Sequence, residues 1–458
     1  MPCRRPCRQT GTREMNTPIC DFAEQYRNGN AVRMHMPGHK GRPLTGPEPR
    51  DITEIPGADE LYRSRGIIRE SEENAAALFG TGRTVYSAEG SSLCIRAMLY
   101  LAALRAREQG LPLRVLAGRN AHRTLMTAAA ALDLEIDWVF PAGGEGLLSC
   151  RITPETLDSR LDSENYMAVY VTSPDYTGNM ADIRGLAAVC RRKGVPLLVD
   201  NAHGAYLRYL PEDMHPISLG ADMACDSAHK TLSCLTGAAY LHISRNAPEK
   251  WAEQAEQAMA FFASTSPSYL ILQSLDRMNA ELAGSWPERL RQTVCRLDER
   301  RGSLQRDGWT ITGNEPMKLT VAARNRGLTG TRLAELLQAQ GIVCEFADPD
   351  FTVLMPSPDT PEEDLDRLEQ ALRSIPKREP LPGIRFAARK PEKACTIRQA
   401  MLSPREEIPV EHAEGRILAD PCAGCPPAVP VLIAGERIDA EAVRCFRYYG
   451  TETCMVIK

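Results

Sequence analysis

Asp200 and Lys230 are the residues best placed by type and spacing to do chemistry. Asp200 stands in Val-Asp200-Asn201-Ala202-His203-Gly204, and thirty positions after Asp200 the stretch Asp226-Ser227-Ala228-His229-Lys230 ends. Each stretch follows a short apolar run, Leu197-Leu198-Val199 and Met223-Ala224-Cys225, that reads as a buried parallel strand. Carboxylate and amine therefore fall at the C-terminal ends of strands, where open α/β sheets hold ligands. A carboxylate that protonates a pyridine nitrogen and a lysine that forms a Schiff base are what pyridoxal 5′-phosphate requires. Singly, Asp200 also reads as a helix cap and Lys230 as a solvated surface charge. The pairing, flanked by His203, Ser227 and His229, carries the cofactor reading.

That cofactor also needs a phosphate cradle. Ala88-Glu89-Gly90-Ser91-Ser92 lies between a strand at 84–87 and a helix starting near Ser91, so backbone N–H groups and two hydroxyls could meet a phosphate dianion. The plainer reading is a serine cap after a glycine turn. His122, in Arg119-Asn120-Ala121-His122-Arg123, follows a strand at 113–117 and could stack on the cofactor ring or simply cap the next helix. Cys422-Ala-Gly-Cys425 is a lone CxxC without a second pair or spaced histidines, so no metal is expected.

The elements that must position these groups alternate from 71 to 245. Strands are expected at 84–87, 113–117, 135–139, 167–172, 196–199, 223–225 and 238–243, with helices at 70–78, 91–105, 122–132 and 183–192 between them. This spacing predicts an α/β domain with a mostly parallel sheet covered on both faces. A helical stretch over 248–303 leads to a strand-helix-strand-helix pattern over 315–376, whose last helix has Thr360 as N-cap and Pro361 at the first position. The expected organisation is a tail or misread start at 1–14, an irregular arm at 15–70 with a short helix at 21–27, a cofactor-binding large domain at 71–310 and a smaller α+β domain at 311–458.

Bulk properties narrow the class. Hydrophobic residues at 43% and charged residues at 25% are ordinary for a globular chain, and a net charge of −4 gives no electrostatic case for nucleic acid. No apolar run approaches the roughly 18 residues of a membrane span. The basic segment 1–14 lacks the apolar core of a secretory signal. Fifteen cysteines, an odd number scattered singly, point to a reducing compartment, hence the cytoplasm, rather than to a disulfide framework.

The chain resembles the Orn/Lys/Arg decarboxylase family, in its short bacterial form, over roughly 18–458. The resemblance rests on His35-Met-Pro-Gly-His39-Lys-Gly, Asp51-Ile-Thr-Glu-Ile-Pro-Gly, Glu89-Gly-Ser-Ser, Arg119-Asn-Ala-His122, Thr172-Ser-Pro, Asp200-x-Ala-His203-Gly and Ser227-Ala-His-Lys230-Thr. It implies the aspartate-aminotransferase fold (fold type I) and a homodimer with shared active sites, with the first two motifs near the site and the interface. By this likeness Lys230 bears the cofactor, Asp200 meets its ring nitrogen, His122 stacks on one ring face and Ala202 packs on the other. Gly90, Ser91, Ser92, Ser227 and His229 hold the phosphate, and His203 lies near the ring oxygen. The small C-terminal domain is marked by Gly415-Arg416-Ile417 and Gly435-Glu436. Four departures stand out: Asn201 for a usual acid, Tyr206 for a histidine, Glu89 for an asparagine, and Gly424-Cys-Pro-Pro-Ala-Val-Pro430 for a PYPPGIP-like run. These are expected near the substrate side.

The implied activity is α-decarboxylation of lysine, arginine or ornithine to the corresponding amine of polyamine metabolism, with Lys230 or His122 returning a proton to Cα. A distal cation would want a carboxylate, and Glu54, Asp59 and Glu436 are candidates. The alternatives are another fold type I reaction, such as transamination or elimination, and a cofactor-binding paralogue without turnover; fold alone does not decide among them.

Overall fold

The computed structural model describes residues 15–141, 148–383, 390–421 and 428–458. The tail at 1–14 and the CxxC at 422–425 lie outside the described residues. Helix α1 (Pro18–Asn28) lies in the arm, and α2 (Ile67–Phe79) follows it. Then follow β1 (Arg83–Ser87), α3 (Gly90–Glu108), β2 (Arg114–Gly118), α4 (Arg123–Leu132), β3 (Glu135–Val139), α5 (Pro154–Ser163), β4 (Ala168–Thr172), α6 (Ile183–Lys193), β5 (Leu197–Asp200), α7 (Pro216–Leu219), β6 (Met223–Asp226), α8 (Ala228–Thr231) and β7 (Ala239–Ile243).

These seven strands form one sheet in the order β1-β7-β6-β5-β4-β2-β3. From β3 to β6 the neighbours are parallel, while β7 runs antiparallel between β6 and β1. Alternation at period two splits the apolar side chains between two cores. On β4, Ala168 and Tyr170 join one core and Val169 and Val171 the other. This is the expected doubly covered α/β sheet, and the expected strands and helices match the observed ones to within a turn.

Two local readings change. The helical stretch expected over 248–303 is three helices, α9 (Glu249–Ala260), α10 (Tyr269–Ala283) and α11 (Trp286–Arg306). Beyond them lie β8 (Ile311–Thr312), β9 (Leu319–Ala322), α12 (Gly330–Gln338), β10 (Phe346–Ala347), β11 (Phe351–Leu354) and α13 (Glu362–Ser374), with the strands ordered β10-β11-β9-β8, all antiparallel. Helix α13 starts one residue later than expected, with Pro361 at the cap, because the Thr360 hydroxyl accepts from Ser357 N at 2.9 Å instead. Last come α14 (Ile397–Leu402), β12 (Arg405–Pro409), α15 (Ala440–Tyr448) and β13 (Thr453–Ile457), where a separate core gathers around Leu418 and Phe446.

The arm is anchored by a borrowed cap. Thr17 gives no side-chain cap to α1; Asp276 of α10 instead accepts from Ile19 N at 3.0 Å and Cys20 N at 2.9 Å, and from the Ser71 hydroxyl at 2.6 Å. Burial outweighs these bonds and pushes the Asp276 carboxyl up to about 6. A folded-state value above the unfolded one gives stability that is complete at low pH and lost as pH rises through about 6. Asp276→Asn keeps an acceptor for the α1 amides and a donor for Ser71. It is expected to remove a penalty of about 3 kcal/mol at neutral pH and to flatten the pH dependence between about pH 4 and 7, read by urea unfolding.

Candidate active site

Four strand-to-helix junctions converge on one cavity. β5 ends at Asp200 and β6 at Asp226, and their register sets Asp200 beside Cys225. From β6 the chain passes through Ser227 into α8, so Ser227, His229 and Lys230 emerge at the same edge as Asp200. β1 leads into α3 through Glu89, and β2 leads into α4, whose N-cap is His122. Between them lies a cavity of about 320 Å³, lined by Gly90, Ser91, Ser92, His122, Asp200, Ala202, His203, Ser227, His229 and Lys230, all ten of the residues singled out in the sequence.

The Asp200 carboxylate is buried and held on both oxygens: Oδ2 accepts from the Tyr170 hydroxyl at 3.0 Å, and Oδ1 from Ala202 N at 3.2 Å and the Cys225 thiol at 3.6 Å. The Lys230 Nζ stands 3.2 Å from His203 Nε2. Burial, and after it the charge of Lys230, pushes the His203 imidazole well below its ordinary pKa, so the ring is neutral and accepts from the amine. Among the described residues its buried Nδ1 has no hydrogen-bond partner. His122 both caps α4 and faces the cavity: Nδ1 accepts from Thr124 N at 3.2 Å and lies 2.8 Å from the Thr124 hydroxyl. Burial lowers its pKa, with the Asp200 charge partly opposing. With Nδ1 accepting, the hydrogen-bond pattern assigns the proton of the neutral ring to Nε2.

The first turn of α3 has no side-chain cap, and Gly90 sits at φ +72°. Around it, Ser227 donates to Ser91 Oγ at 2.8 Å, Ser92 Oγ lies 3.1 Å from the Thr124 hydroxyl, and His229 Nδ1 donates to Ala238 O at 2.8 Å. Gly90 N donates to Gly237 O at 2.7 Å; Gly237 sits at φ +99°, and a β-carbon there would come within 3.0 Å of Ala88 O, so this close approach requires glycine. Backbone donors at a helix start, three hydroxyls and an imidazole fit a phosphate dianion, a braced carboxylate fits a pyridine nitrogen, and a lysine completes the set. The residues present fit pyridoxal phosphate.

Sequence reasoning missed Tyr176 and Thr236 as cavity residues, while Val429, in a run expected near the substrate side, also lines the wall. Tyr176 meets the His203 ring edge-on at 5.0 Å and donates to Glu345 at 2.7 Å. Only its place two residues past the Thr172-Ser-Pro motif could have pointed to it. Val429 belongs to the altered 424–430 run, of which 424–427 lie outside the described residues.

Several expectations about the substrate side are corrected. Asn201 and Tyr206 are fully buried and do not line the cavity: Asn201 donates to Asp226 and Tyr206 to Glu315. Of the described departures, Glu89 and Val429 reach the cavity wall. Asp59 accepts from the amides of Arg65, Gly66, Ile68 and Arg69 and so organises the start of α2. Glu436 is buried against Arg119, Nη2 to Oε2 at 2.6 Å. Glu54 is exposed and off the cavity wall. The two arm motifs join each other through His39 and Asp51 at 3.2 Å.

Comparison with known proteins shows the family and the fold. The chain is 28% identical to the arginine decarboxylase of Bacillus subtilis over 93% of this chain and 92% of that one, and 22% identical to the constitutive lysine decarboxylase of Escherichia coli over 85% and 68%. The solved structure of that lysine decarboxylase superposes with a TM-score of 0.77 over 97% of this chain and 82% of its own, at 18% identity. Models of the Orn/Lys/Arg decarboxylase major domain and C-terminal domain match residues 17–321 and 385–453. The chain belongs to the Orn/Lys/Arg decarboxylase family, and with it to the pyridoxal-phosphate-dependent amino-acid decarboxylases.

Proposed function

We propose that this chain removes the α-carboxylate of a basic amino acid, arginine in the first place, with lysine and ornithine as the other candidates. The observation that carries the reading is the convergence of the braced Asp200, the Lys230–His203 pair and the serine-lined start of α3 on one cavity. Bound there, pyridoxal phosphate supplies an electron sink for the bond that loses carbon dioxide. Asp200 would meet the ring nitrogen, the α3 amides with Ser91, Ser92, Ser227 and His229 would take the phosphate, and Ala202 and His122 would flank the ring. Lys230 binds the cofactor and moves the proton at Cα. The His122 Nε2–H is a donor beside it.

Asp200 and Glu89 are the two acidic groups among the described residues lining the cavity. With Asp200 engaged, Glu89 on the exposed rim is the carboxylate for the distal cation. Its Oε1 is held by Ser264 N at 2.7 Å. With Asn201 and Tyr206 turned away, two of the four departures do not line the cavity. A homodimer covers the arm, where Val32, Met34, Met36 and Leu44 are all more than 60% exposed. The large domain spans 71–310 and the smaller one 311–458.

The test is product analysis. Purified protein with cofactor is incubated with arginine, lysine and ornithine, and carbon dioxide and amine are measured. Carbon dioxide from none of the three sinks the decarboxylase reading. Glu89→Gln is expected to raise KM for the preferred substrate by roughly 10–100-fold, the weight of a charge-assisted hydrogen bond, with kcat little changed. An unchanged KM removes Glu89 from that role.

A further inference from the structure

A second polar cluster lies behind the cavity, outside its wall. Asp226, the last residue of β6, is fully buried, as are His215 at the start of α7, His242 on β7 and Asn201 just past β5. Asp226 Oδ2 accepts from His215 Nε2 at 3.0 Å and stands 3.3 Å from His242 Nε2, while Oδ1 accepts from Asn201 Nδ2 at 2.7 Å. The outer nitrogens are engaged as well: His215 Nδ1 accepts from Ile217 N at 3.3 Å, and His242 Nδ1 lies 2.9 Å from the Thr84 hydroxyl. The Phe79 ring packs on both imidazoles. Burial alone would raise the Asp226 carboxyl, but His215 and His242 hold it well below the usual carboxylate range, so this acid is ionised.

The placement of the cluster is what matters. Asn201 directly follows Asp200, and Asp226 directly precedes Ser227. Asn201 N donates to Cys225 O at 3.0 Å as the ladder between β5 and β6 ends, and the Asn201–Asp226 side-chain bond continues that tie one step further. The tie therefore joins the strand end bearing the ring-nitrogen carboxylate to the turn bearing the cofactor lysine. At 201 this chain has an amide, and a buried carboxylate faces it from 226.

We propose that Asp226, with His215 and His242, is a positioning group for the cofactor, acting through the Asn201 amide to fix the span between the Asp200 carboxylate and the Lys230 amine. A ring bound at both ends tolerates little error in that span. The inference rests on the cofactor reading above. The three buried side chains, with ligand atoms within 4.8 Å of one another, could also hold a zinc-type ion. The hydrogen bonds already made by His215 on both nitrogens favour the purely hydrogen-bonded network.

The experiment compares full-length wild type, Asp226→Asn, Asn201→Ala and the swap Asn201→Asp/Asp226→Asn. It measures cofactor dissociation constant, the visible absorbance of the lysine-bound cofactor against pH, melting temperature and zinc content. Asp226→Asn and Asn201→Ala are expected to weaken cofactor binding by about tenfold or more and to shift the pH midpoint of the visible band, in line with the loss of groups that orient a site from behind. The swap should recover most of the affinity. If Asp226→Asn does not fold, Asn201→Ala, which leaves the acid and both imidazoles in place, decides alone. Variants that melt lower yet keep affinity within about twofold and an unshifted band reduce the cluster to a structural role and overturn the proposal. Stoichiometric zinc in the wild type overturns it as well. A wild type without a visible band sinks the cofactor reading and this inference together; a normal wild-type band with indistinguishable variants sinks this inference alone.

Discussion

Lys230→Ala is expected to lower kcat by about 10⁴-fold or more while the protein stays folded. The amine of Lys230 meets one described hydrogen-bond partner, His203 Nε2, and the side chain is only partly buried. Its loss therefore leaves no buried charge behind. The phosphate grip at the start of α3 and the Asp200 carboxylate stay in place, so the cofactor should still bind but without its covalent link. Lys230→Arg keeps the positive charge yet is a far poorer nucleophile at neutral pH, and should be equally inactive. The measurement is carbon dioxide release alongside the visible spectrum. Turnover within tenfold of wild type in either variant would remove Lys230 from its central place.

The largest loss of stability is expected at the Arg119–Glu436 pair. Both side chains are buried, and Glu436 also accepts from Ile433 N at 2.7 Å. The guanidinium lies over the Trp138 and Phe140 rings at 5.4 and 5.6 Å, and burial alone pulls its pKa down against the pull of Glu436. Glu436→Leu would strand that cation in the interior, at a cost of about 3–5 kcal/mol. Arg119→Met/Glu436→Leu removes both charges and should recover most of the loss, because paired burial of ions gains little over apolar packing. Denaturant unfolding reads both variants. A loss below about 1 kcal/mol for Glu436→Leu would mean that water reaches the guanidinium.

The fold was legible where periodicity carries it. The apolar strands at 197–199 and 223–225 marked the sheet edge, and with it Asp200 and Lys230. Helix ends were less legible when a distant group intervened, as when Thr360 turned its hydroxyl to Ser357 or when Asp276 capped α1 from more than 250 residues away. The candidate site was legible because its groups sit at strand-to-helix junctions that motifs mark. Asn201 and Tyr206 misled because side-chain direction past a strand end depends on partners, here Asp226 and Glu315, that no local pattern names. His215 and His242 went unremarked, and Asp226 passed as the head of the lysine stretch, for the same reason: each is an ordinary residue until β6, β7 and α7 bring them together.

One feature of the cavity bears on how the protein is made. Val429 lines the same wall as His122, and Ala428 O accepts from Arg123 N at 2.8 Å. These residues are synthesised roughly 200 positions after Lys230, which at translation rates of about 5–20 residues per second is an interval of roughly 10–40 s. Throughout that interval the lysine and the phosphate turn already exist while the wall that Val429 supplies does not. Val429 thus joins the cavity wall only once the C-terminal part of the chain has been made.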